Sequence, residues 1–492
     1  MNTSSSKFEK KSVAKTNMSV IDFRIACVMV GLPARGKTYV AYKVCRYLNW
    51  LGIKTQIFSV GNYRRQIAGL HPPPTFFDIH NQDGMKKRHE AAEIALNDMI
   101  KWYLEEDGIA GIFDATNSTK QDREWIHREL TKLDVQVLFI ESICDDPKII
   151  MSNIKDVKLS SPDYENLDPE TATEDYMKRI NHYEAFYETI TEEDLTYIKL
   201  INVGSQYIIN MIRGYLESRI VYYLMNLHTR PKRIWFSRHG ESLYNLEDRI
   251  GGDSGLSPRG EQYALKLPEI VKQNIGDRPL TVWTSTMKRT IQTARHLDFP
   301  KKQWKALDEL DTGVCDGMTY DEIAAKYPED FARRDEDKFN YRYRGGESYR
   351  DLVLRLEPVI MDLERHENIL IISHQATIRC MYAYFMGLSH EELPYARIPL
   401  HTIIELRPKA FSCEEKLYKG MVTSIKERKR YLPFTVDVGA VDTFRPKGQG
   451  ARVLKNDTFV CESVGASGEV SDGSKPILPI SPIASKTLTN EA

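Results

Sequence analysis

Two segments of this 492-residue chain suit phosphate chemistry of opposite sense. Gly31-Leu32-Pro33-Ala34-Arg35-Gly36-Lys37-Thr38 fits G-x-x-x-x-G-K-[ST]. In that pattern backbone N–H groups cradle phosphate oxygens, the lysine (Lys37) reaches the β- and γ-phosphates, and the hydroxyl (Thr38) holds Mg²⁺. Ser237-Arg238-His239-Gly240-Glu241-Ser242 instead places a histidine beside an arginine. A neutral imidazole attacks phosphorus, and phosphohistidine is labile enough to hydrolyse. A phosphoryl group in transfer spreads its charge over its oxygens, so cations must surround it. Arg238 is one, Arg289 in Thr286-Met287-Lys288-Arg289-Thr290 a second, and His374 after Ile369-Leu370-Ile371-Ile372-Ser373 a third.

Carboxylates and further cations complete the inventory. Asp114 ends the apolar run Gly111-Ile112-Phe113, a Walker-B-like place for a group that orients Mg²⁺. Asp114, Thr116, Asn117 and Ser118 equally suit a helix cap. Arg64, Arg65 and the run Lys86-Lys87-Arg88-His89 offer cations to a phosphorylated acceptor, although most of that run reads as a solvated helix face. In Leu307-Asp308-Glu309-Leu310-Asp311, Glu309 suits the proton donor to a leaving alkoxide; spacing alone does not exclude Asp308 or Asp311.

These groups need strand ends to hold them. Apolar, β-branched runs predict strands over 25–30, 55–60, 108–113, 135–140 and 198–203, with helices over 38–50, 85–105, 121–133 and 173–190 between them. That alternation predicts a parallel α/β sheet. Residues 205–230 read as a helix and a linker. A second α/β series follows, with strands over 233–237, 281–285 and 369–373, ending near Pro408. The domains expected are therefore 21–230 and 231–430, between polar tails over 1–20 and 431–492 that read as disordered.

Composition narrows the partners. The 68 Lys and Arg balance 69 Asp and Glu, so neither nucleic acid nor a membrane surface is an expected partner. Seven cysteines without C-x-x-C spacing point to a reducing compartment, hence the cytoplasm. The polar start, 1–16, carries no apolar signal segment, and no apolar run is long enough to cross a bilayer.

Gly31–Thr38, Asn62-Tyr63-Arg64-Arg65, Phe113-Asp114-Ala115-Thr116-Asn117 and Val157-Lys158-Leu159-Ser160-Ser161-Pro162-Asp163-Tyr164 resemble the kinase half of the bifunctional 6-phosphofructo-2-kinase/fructose-2,6-bisphosphatase family. Gly251-Gly252-Asp253-Ser254-Gly255-Leu256-Ser257, Val282-Trp283-Thr284-Ser285 and Gly346-Glu347-Ser348-Tyr349 resemble its bisphosphatase half. That half belongs with the histidine phosphatases and phosphoglycerate mutases. The resemblance implies a P-loop kinase-like sheet followed by a three-layer α/β/α phosphatase. It implies synthesis of fructose 2,6-bisphosphate from fructose 6-phosphate and ATP, its hydrolysis through phosphohistidine, and thereby control of glycolysis and gluconeogenesis. Mg²⁺ serves the kinase, and the phosphatase needs no cofactor.

The resemblance also implies residue roles. Gly31, Gly36, Lys37, Thr38, Asn153 and Lys158 approach the nucleotide, and Asp114 and Cys144 line the kinase site. Arg64, Arg88, Thr116, Arg179 and Tyr183 hold substrate there. His239, Glu309 and His374 are catalytic in the second half, where Arg238, Asn245, Gly251 and Arg289 face the phosphate at carbon 2. Tyr320, Arg334, Lys338, Tyr349, Gln375 and Arg379 grip the 6-phosphate and the sugar. The resemblance decides for Glu309 over Asp308 and Asp311. Lys120-Gln121-Asp122-Arg123 departs from the arginine-rich stretch common in the family. The alternative is thus a predominantly bisphosphatase chain with a weakened kinase half. A third reading is a nucleotide-sensing scaffold with inert sites; intact Lys37, Asp114, His239, Glu309 and His374 speak against it. A homodimer is left open. Ser12 and Ser481 are candidate sites for regulatory protein kinases, and the basic run 426–430 is a candidate anion site.

Overall fold

The computed structural model describes residues 24–160, 162–164, 168–228, 231–409 and 411–419, with backbone alone for 156–160 and 169. The two tails, Ser12, Ser481 and the run 426–430 lie outside the described residues, as does the side chain of Lys158.

The first sheet has six strands: β1 (Ile25–Val30), β2 (Thr55–Ser59), β3 (Ala110–Asp114), β4 (Gln136–Ile143), β5 (Tyr197–Ile201) and β6 (Gln206–Asn210), in the order β2-β3-β1-β4-β5-β6. β1 to β5 run parallel, as expected. β6 does not: it pairs antiparallel with β5, so the sheet is mixed and the segment read as a helix begins with a strand. The reversal is made by Asn202, Val203 and Gly204, all at positive φ. Alternation sends β1 side chains to both faces. Ile25, Cys27 and Met29 join the core beneath the helix Lys37–Trp50, here α1; Ala26, Val28 and Val30 join Ala95, Met99, Ile126 and Leu130 on the other side.

The second sheet also has six strands: β7 (Arg233–Arg238), β8 (Thr281–Thr284), β9 (Lys301–Gln303), β10 (Asn368–Ser373), β11 (Thr402–Pro408) and β12 (Cys413–Lys419), ordered β12-β11-β7-β10-β8-β9. β7 to β10 are parallel neighbours, whereas β11 and β12 add antiparallel strands on the other edge. Trp235, Leu370 and Ile372 pack towards Tyr263, Leu267 and Val271 of the helix Pro258–Ile275. Ile234, Phe236, Ile369 and Ile371 face the opposite way, towards Leu352, Leu356 and Ile360 of the helix Tyr349–Arg365. Helices thus cover both faces, the expected three-layer arrangement.

The two sheets share one core. Val40, Val44, Tyr47 and Leu48 of α1 belong to the same apolar cluster as the helices Tyr349–Arg365 and Gln375–Met386. The Tyr47 and Tyr223 rings stack at 4.2 Å, and the Trp50 indole donates to the Cys380 carbonyl at 2.9 Å. At the centre lies Glu364, fully buried. Its carboxylate accepts from Lys43 at 3.3 Å, from Tyr384 at 2.7 Å and from Lys232, with Arg46 at 3.5 Å. Burial lowers Lys43 to about 7, yet these cations together hold the Glu364 carboxyl well below the usual carboxylate range. The carboxylate is therefore the firm charge. Glu364→Gln leaves buried cations uncompensated and is expected to lower the unfolding free energy by about 3 kcal/mol. Because the folded pKa is depressed, the stabilisation is complete above the unfolded value of about 4.3 and fades below it. Urea titrations of both proteins at pH 7 and at acid pH check this; coincident midpoints at pH 7 would contradict it.

Candidate active sites

The first site forms where β1 delivers its chain to α1, between β3 and β4. Sequence dictates the turn locally. Gly31 has φ 135°, and a Cβ there would lie 2.5 Å from the Ser142 carbonyl oxygen; Gly36, with φ 83°, precedes the first turn of α1. Glycine fits both places without a side-chain penalty. Asn153 donates its amide to the Ala34 carbonyl at 2.8 Å, and Gly31 N–H donates to the Thr116 carbonyl at 3.0 Å. Lys37 is buried and donates to the Leu32 carbonyl at 2.6 Å, inside the loop it would share with a phosphate. Burial, reinforced by Arg179 and Arg35 against the pull of Asp114, lowers it to about 7. Thr38 Oγ1 donates to Asp114 at 3.0 Å and Ser59 Oγ at 3.3 Å. Burial raises the Asp114 carboxyl despite these donors and Lys37. Asp114 is thus no helix cap; it is a buried carboxylate beside a hydroxyl and a lysine.

Arg64 and Arg179 converge on a carboxylate to which sequence reasoning gave no role. Asp163 pairs with Arg64, with Arg65 at 3.3 Å and with Arg179 at 3.9 Å. The Arg179 guanidinium lies 4.0 Å from the centre of the Phe77 ring. Arg88 stands over the buried Tyr183 ring at 5.8 Å and donates to the Phe77 carbonyl at 2.9 Å. One buried carboxylate among several guanidiniums leaves excess positive charge, which suits an anion. Cys144 is buried, with its thiol 4.0 Å from the Asp146 carbonyl.

In the second sheet, register brings the catalytic candidates together. Arg238 pairs with Ser373 across β7 and β10, so His239 and His374 leave adjacent strand ends. Their rings lie 5.2 Å apart. His239 N–H donates to the Ser373 carbonyl at 3.0 Å. Its Nδ1 lies 2.7 Å from the Gly240 carbonyl, an acceptor, so Nδ1 carries the proton and Nε2 keeps its lone pair. Gly240 has no substitute: a Cβ there would meet the Gly260 carbonyl oxygen at 2.6 Å. Burial first, then Arg289 and Arg238, hold His239 well below its ordinary pKa. The same causes, with His239, hold His374 low. Both imidazoles are therefore neutral at neutral pH. His374 is thus not the third cation expected from sequence: burial and the neighbouring guanidiniums disfavour its charged form, and it can serve only as a neutral hydrogen-bonding group. His374 Nε2 meets Ser285 Oγ at 2.8 Å, itself 2.8 Å from Thr290 Oγ1. Ser285 lies in the quoted Val282–Ser285 motif, yet its contact with His374 is a fold-level pairing.

Arg238 donates to the Ile398 carbonyl at 3.1 Å and Arg289 to the Gly252 carbonyl at 2.7 Å. Glu309 accepts from the amide of Ala376 at 3.2 Å, in the first turn of the helix that follows His374. Asp308 is committed elsewhere: it accepts from Thr286 N–H and Oγ1, both at 2.8 Å. Asp311 accepts from Gly313 N–H at 2.8 Å. A further cationic group lies beyond. Arg334 donates to the Tyr343 and Tyr320 hydroxyls at 3.0 and 3.2 Å, and Arg379 to that of Tyr349 at 3.1 Å. Lys338 donates to the Pro394 carbonyl at 3.0 Å; burial, with Arg379 and Arg334, lowers it to about 7.

Sequence comparison fits this geometry. Residues 11–231 match the 6-phosphofructo-2-kinase model, and residues 234–419 match the histidine phosphatase superfamily, branch 1. A fructose-2,6-bisphosphatase of Saccharomyces cerevisiae is 52% identical over 431 residues, covering 87% of this chain and 92% of its own. The 6-phosphofructo-2-kinase/fructose-2,6-bisphosphatase 4 of Rattus norvegicus is 51% identical, and that of Homo sapiens 50%, each covering 84% of this chain and 88% of the relative. The chain belongs to the 6-phosphofructo-2-kinase/fructose-2,6-bisphosphatase family.

Within this family member, most residues singled out from sequence gather at the two strand-end sites. Asn245 sits beside the second: its side-chain oxygen accepts from Ser242 N–H at 2.9 Å, fixing the turn after His239. Gly251 has φ 70°, and Gln375 opens the helix after His374. The departure at 120–123 has local duties. Asp122 forms a capping box with Thr119, and Arg123 is buried against Glu192 at 2.8 Å. Lys120 is exposed, its ammonium 4.0 Å from Glu124.

Proposed function

We infer that the chain is a bifunctional enzyme whose Lys37 site phosphorylates fructose 6-phosphate at the 2-hydroxyl with ATP and whose His239 site hydrolyses the product. The observation that carries this reading is the His239 ring, whose Nδ1 is committed to the Gly240 carbonyl so that Nε2 keeps the lone pair, 5.2 Å from the His374 ring in a chain that also holds a P-loop. In the first site Lys37 balances charge on the β- and γ-phosphates, and Arg64, Arg179 and Arg88 hold the acceptor's 6-phosphate. Thr38 and Asp114 present hard oxygens that fit Mg²⁺, which when bound neutralises charge on the nucleotide phosphates.

In the second site, His239 Nε2 attacks the phosphorus at carbon 2. The P–N bond forms as the bond from phosphorus to the sugar oxygen breaks, and Glu309 gives that oxygen its proton. Arg238, Arg289 and His374 hold the phosphoryl oxygens. Water then attacks the phosphorus, Glu309 takes the water's proton, the P–N bond breaks with its electron pair returning to His239 Nε2, and phosphate leaves. Arg334, Lys338 and Arg379, with Tyr320, Tyr349 and Gln375, grip the 6-phosphate and sugar. Quenching in alkaline detergent, which preserves the acid-labile P–N bond, after mixing with fructose 2,6-[2-³²P]bisphosphate tests the step: label is expected on His239, and its absence during turnover would refute it.

The buried Lys37 makes a separate prediction. Its depressed pKa leaves it largely neutral at pH 8, and nucleotide phosphates favour the charged form. Nucleotide binding at pH 8 is therefore expected to take up close to about one proton, and affinity to fall as pH rises above 7. Calorimetry in buffers of different ionisation enthalpy measures this; Lys37→Met should abolish it, and zero uptake by the wild type would contradict it.

Among the described residues no helix is long and apolar enough to cross a membrane. The described cysteines are free, which supports a place in the reducing cytoplasm. β6 ends the first sheet with Ile208 and Ile209 exposed, a strand edge suited to pairing with a second copy. A homodimer is the expected mass by light scattering, and a monomer would contradict that part of the reading.

A further inference from the structure

We propose that His401 is a positioning residue that sets the tautomer of the nucleophile. The role rests on the reading of His239 as the phosphoryl acceptor. His401 lies just before β11, far from the Arg-His-Gly segment in sequence. It is buried, and its φ of 53° places a bulky residue in the left-handed region. Such a conformation persists where surroundings over-determine it.

One peptide unit links the two histidines. Gly240 C=O and Glu241 N–H belong to the same plane and point in opposite directions. Glu241 N–H donates to His401 Nε2 at 3.1 Å. His239 Nδ1 donates to Gly240 C=O at 2.7 Å. His401 thus fixes the N–H end of the plane whose carbonyl end keeps the proton on His239 Nδ1. The preceding peptide is fixed as well, since Gly240 N–H donates to Thr293 Oγ1 at 2.9 Å. The His401 ring stacks on Tyr263 at 4.8 Å, and the Tyr263 hydroxyl meets Ser237 Oγ at 2.8 Å. Both sides of Arg238-His239-Gly240 are therefore clamped by this pair. With the acceptor gone, Glu241 N–H loses its partner and the Gly240–Glu241 plane can tilt between its two anchored neighbours, Gly240 N–H on Thr293 and Glu241 C=O on Ser257 N–H at 2.8 Å. His239 then populates the tautomer with the proton on Nε2, which cannot attack.

Two variants separate this role from packing. His401→Phe keeps a ring against Tyr263 but has no acceptor; His401→Gln restores an acceptor oxygen. Expected for His401→Phe is a fall in the turnover number for fructose 2,6-bisphosphate of roughly tenfold or more, with KM within about twofold. His401→Gln should recover most of it. The ¹⁵N spectrum of selectively labelled histidine should show His239 shifting from one tautomer to a mixture in His401→Phe alone. Melting curves and 6-phosphofructo-2-kinase rates report folding in both variants. Wild-type turnover in His401→Phe, or equal losses in the two variants with an unmoved His239 tautomer, would overturn the proposal. Failure of the wild type to phosphorylate His239 would instead count against the hydrolase reading beneath it.

Discussion

In a His239→Ala variant, hydrolysis of fructose 2,6-bisphosphate is expected to fall by on the order of a thousandfold or more, while its synthesis continues. The argument is geometric. His239 Nδ1 is committed to the Gly240 carbonyl, so Nε2 is the reactive atom. His374 Nε2 meets Ser285 Oγ at 2.8 Å, which disfavours it as a substitute nucleophile. Arg238 and Arg289 remain and hold the phosphate without attacking it. Incubated with ATP and fructose 6-phosphate, the variant should therefore accumulate fructose 2,6-bisphosphate, where the wild type settles at a balance. Absence of that product in the variant would favour the alternative with a weakened kinase half.

The reciprocal substitution, Lys37→Met, is expected to cut synthesis by roughly a hundredfold to a thousandfold and leave hydrolysis within about twofold of wild type. Lys37 is buried inside the P-loop, so methionine fills its volume without its charge. The loss should fall on the turnover number, because Arg64, Arg88 and Arg179 still hold the sugar phosphate. Separate assays of the two activities on one preparation read this. A parallel loss of both activities would mean the substitution acts through the core that α1 shares with the second sheet.

Much of this architecture was legible in the chain because it is local. The P-loop lies between an all-buried apolar strand and a helix whose first residue is Lys37, and each signal sits within a few residues of the next. β7 and β10 were equally plain, since each ends its apolar run at a chemical group. Edge strands were not. β9 is Lys-Lys-Gln, wholly exposed, and β12 carries mixed charges with partial exposure; their pairing depends on neighbours far along the chain. β6 follows a turn of Asn202 and Val203 at positive φ, which a helical reading passes over. The candidate residues were legible by type, but not all of their partners. Asp163 gathers Arg64, Arg65 and Arg179 only after folding. The Glu364 cluster joins groups from both halves, and His401 meets Glu241 across the second sheet. Buried polar contacts between distant segments leave no spacing signature.

The central claim is that one site makes what the other destroys, and a single labelled phosphoryl group tests it. The enzyme is mixed with [γ-³²P]ATP, Mg²⁺ and fructose 6-phosphate and quenched at successive times. Label should leave ATP for fructose 2,6-bisphosphate, then appear on His239, then accumulate as inorganic phosphate, with the last two stages missing in His239→Ala. Label reaching inorganic phosphate without passing through the bisphosphate and His239 would contradict the account.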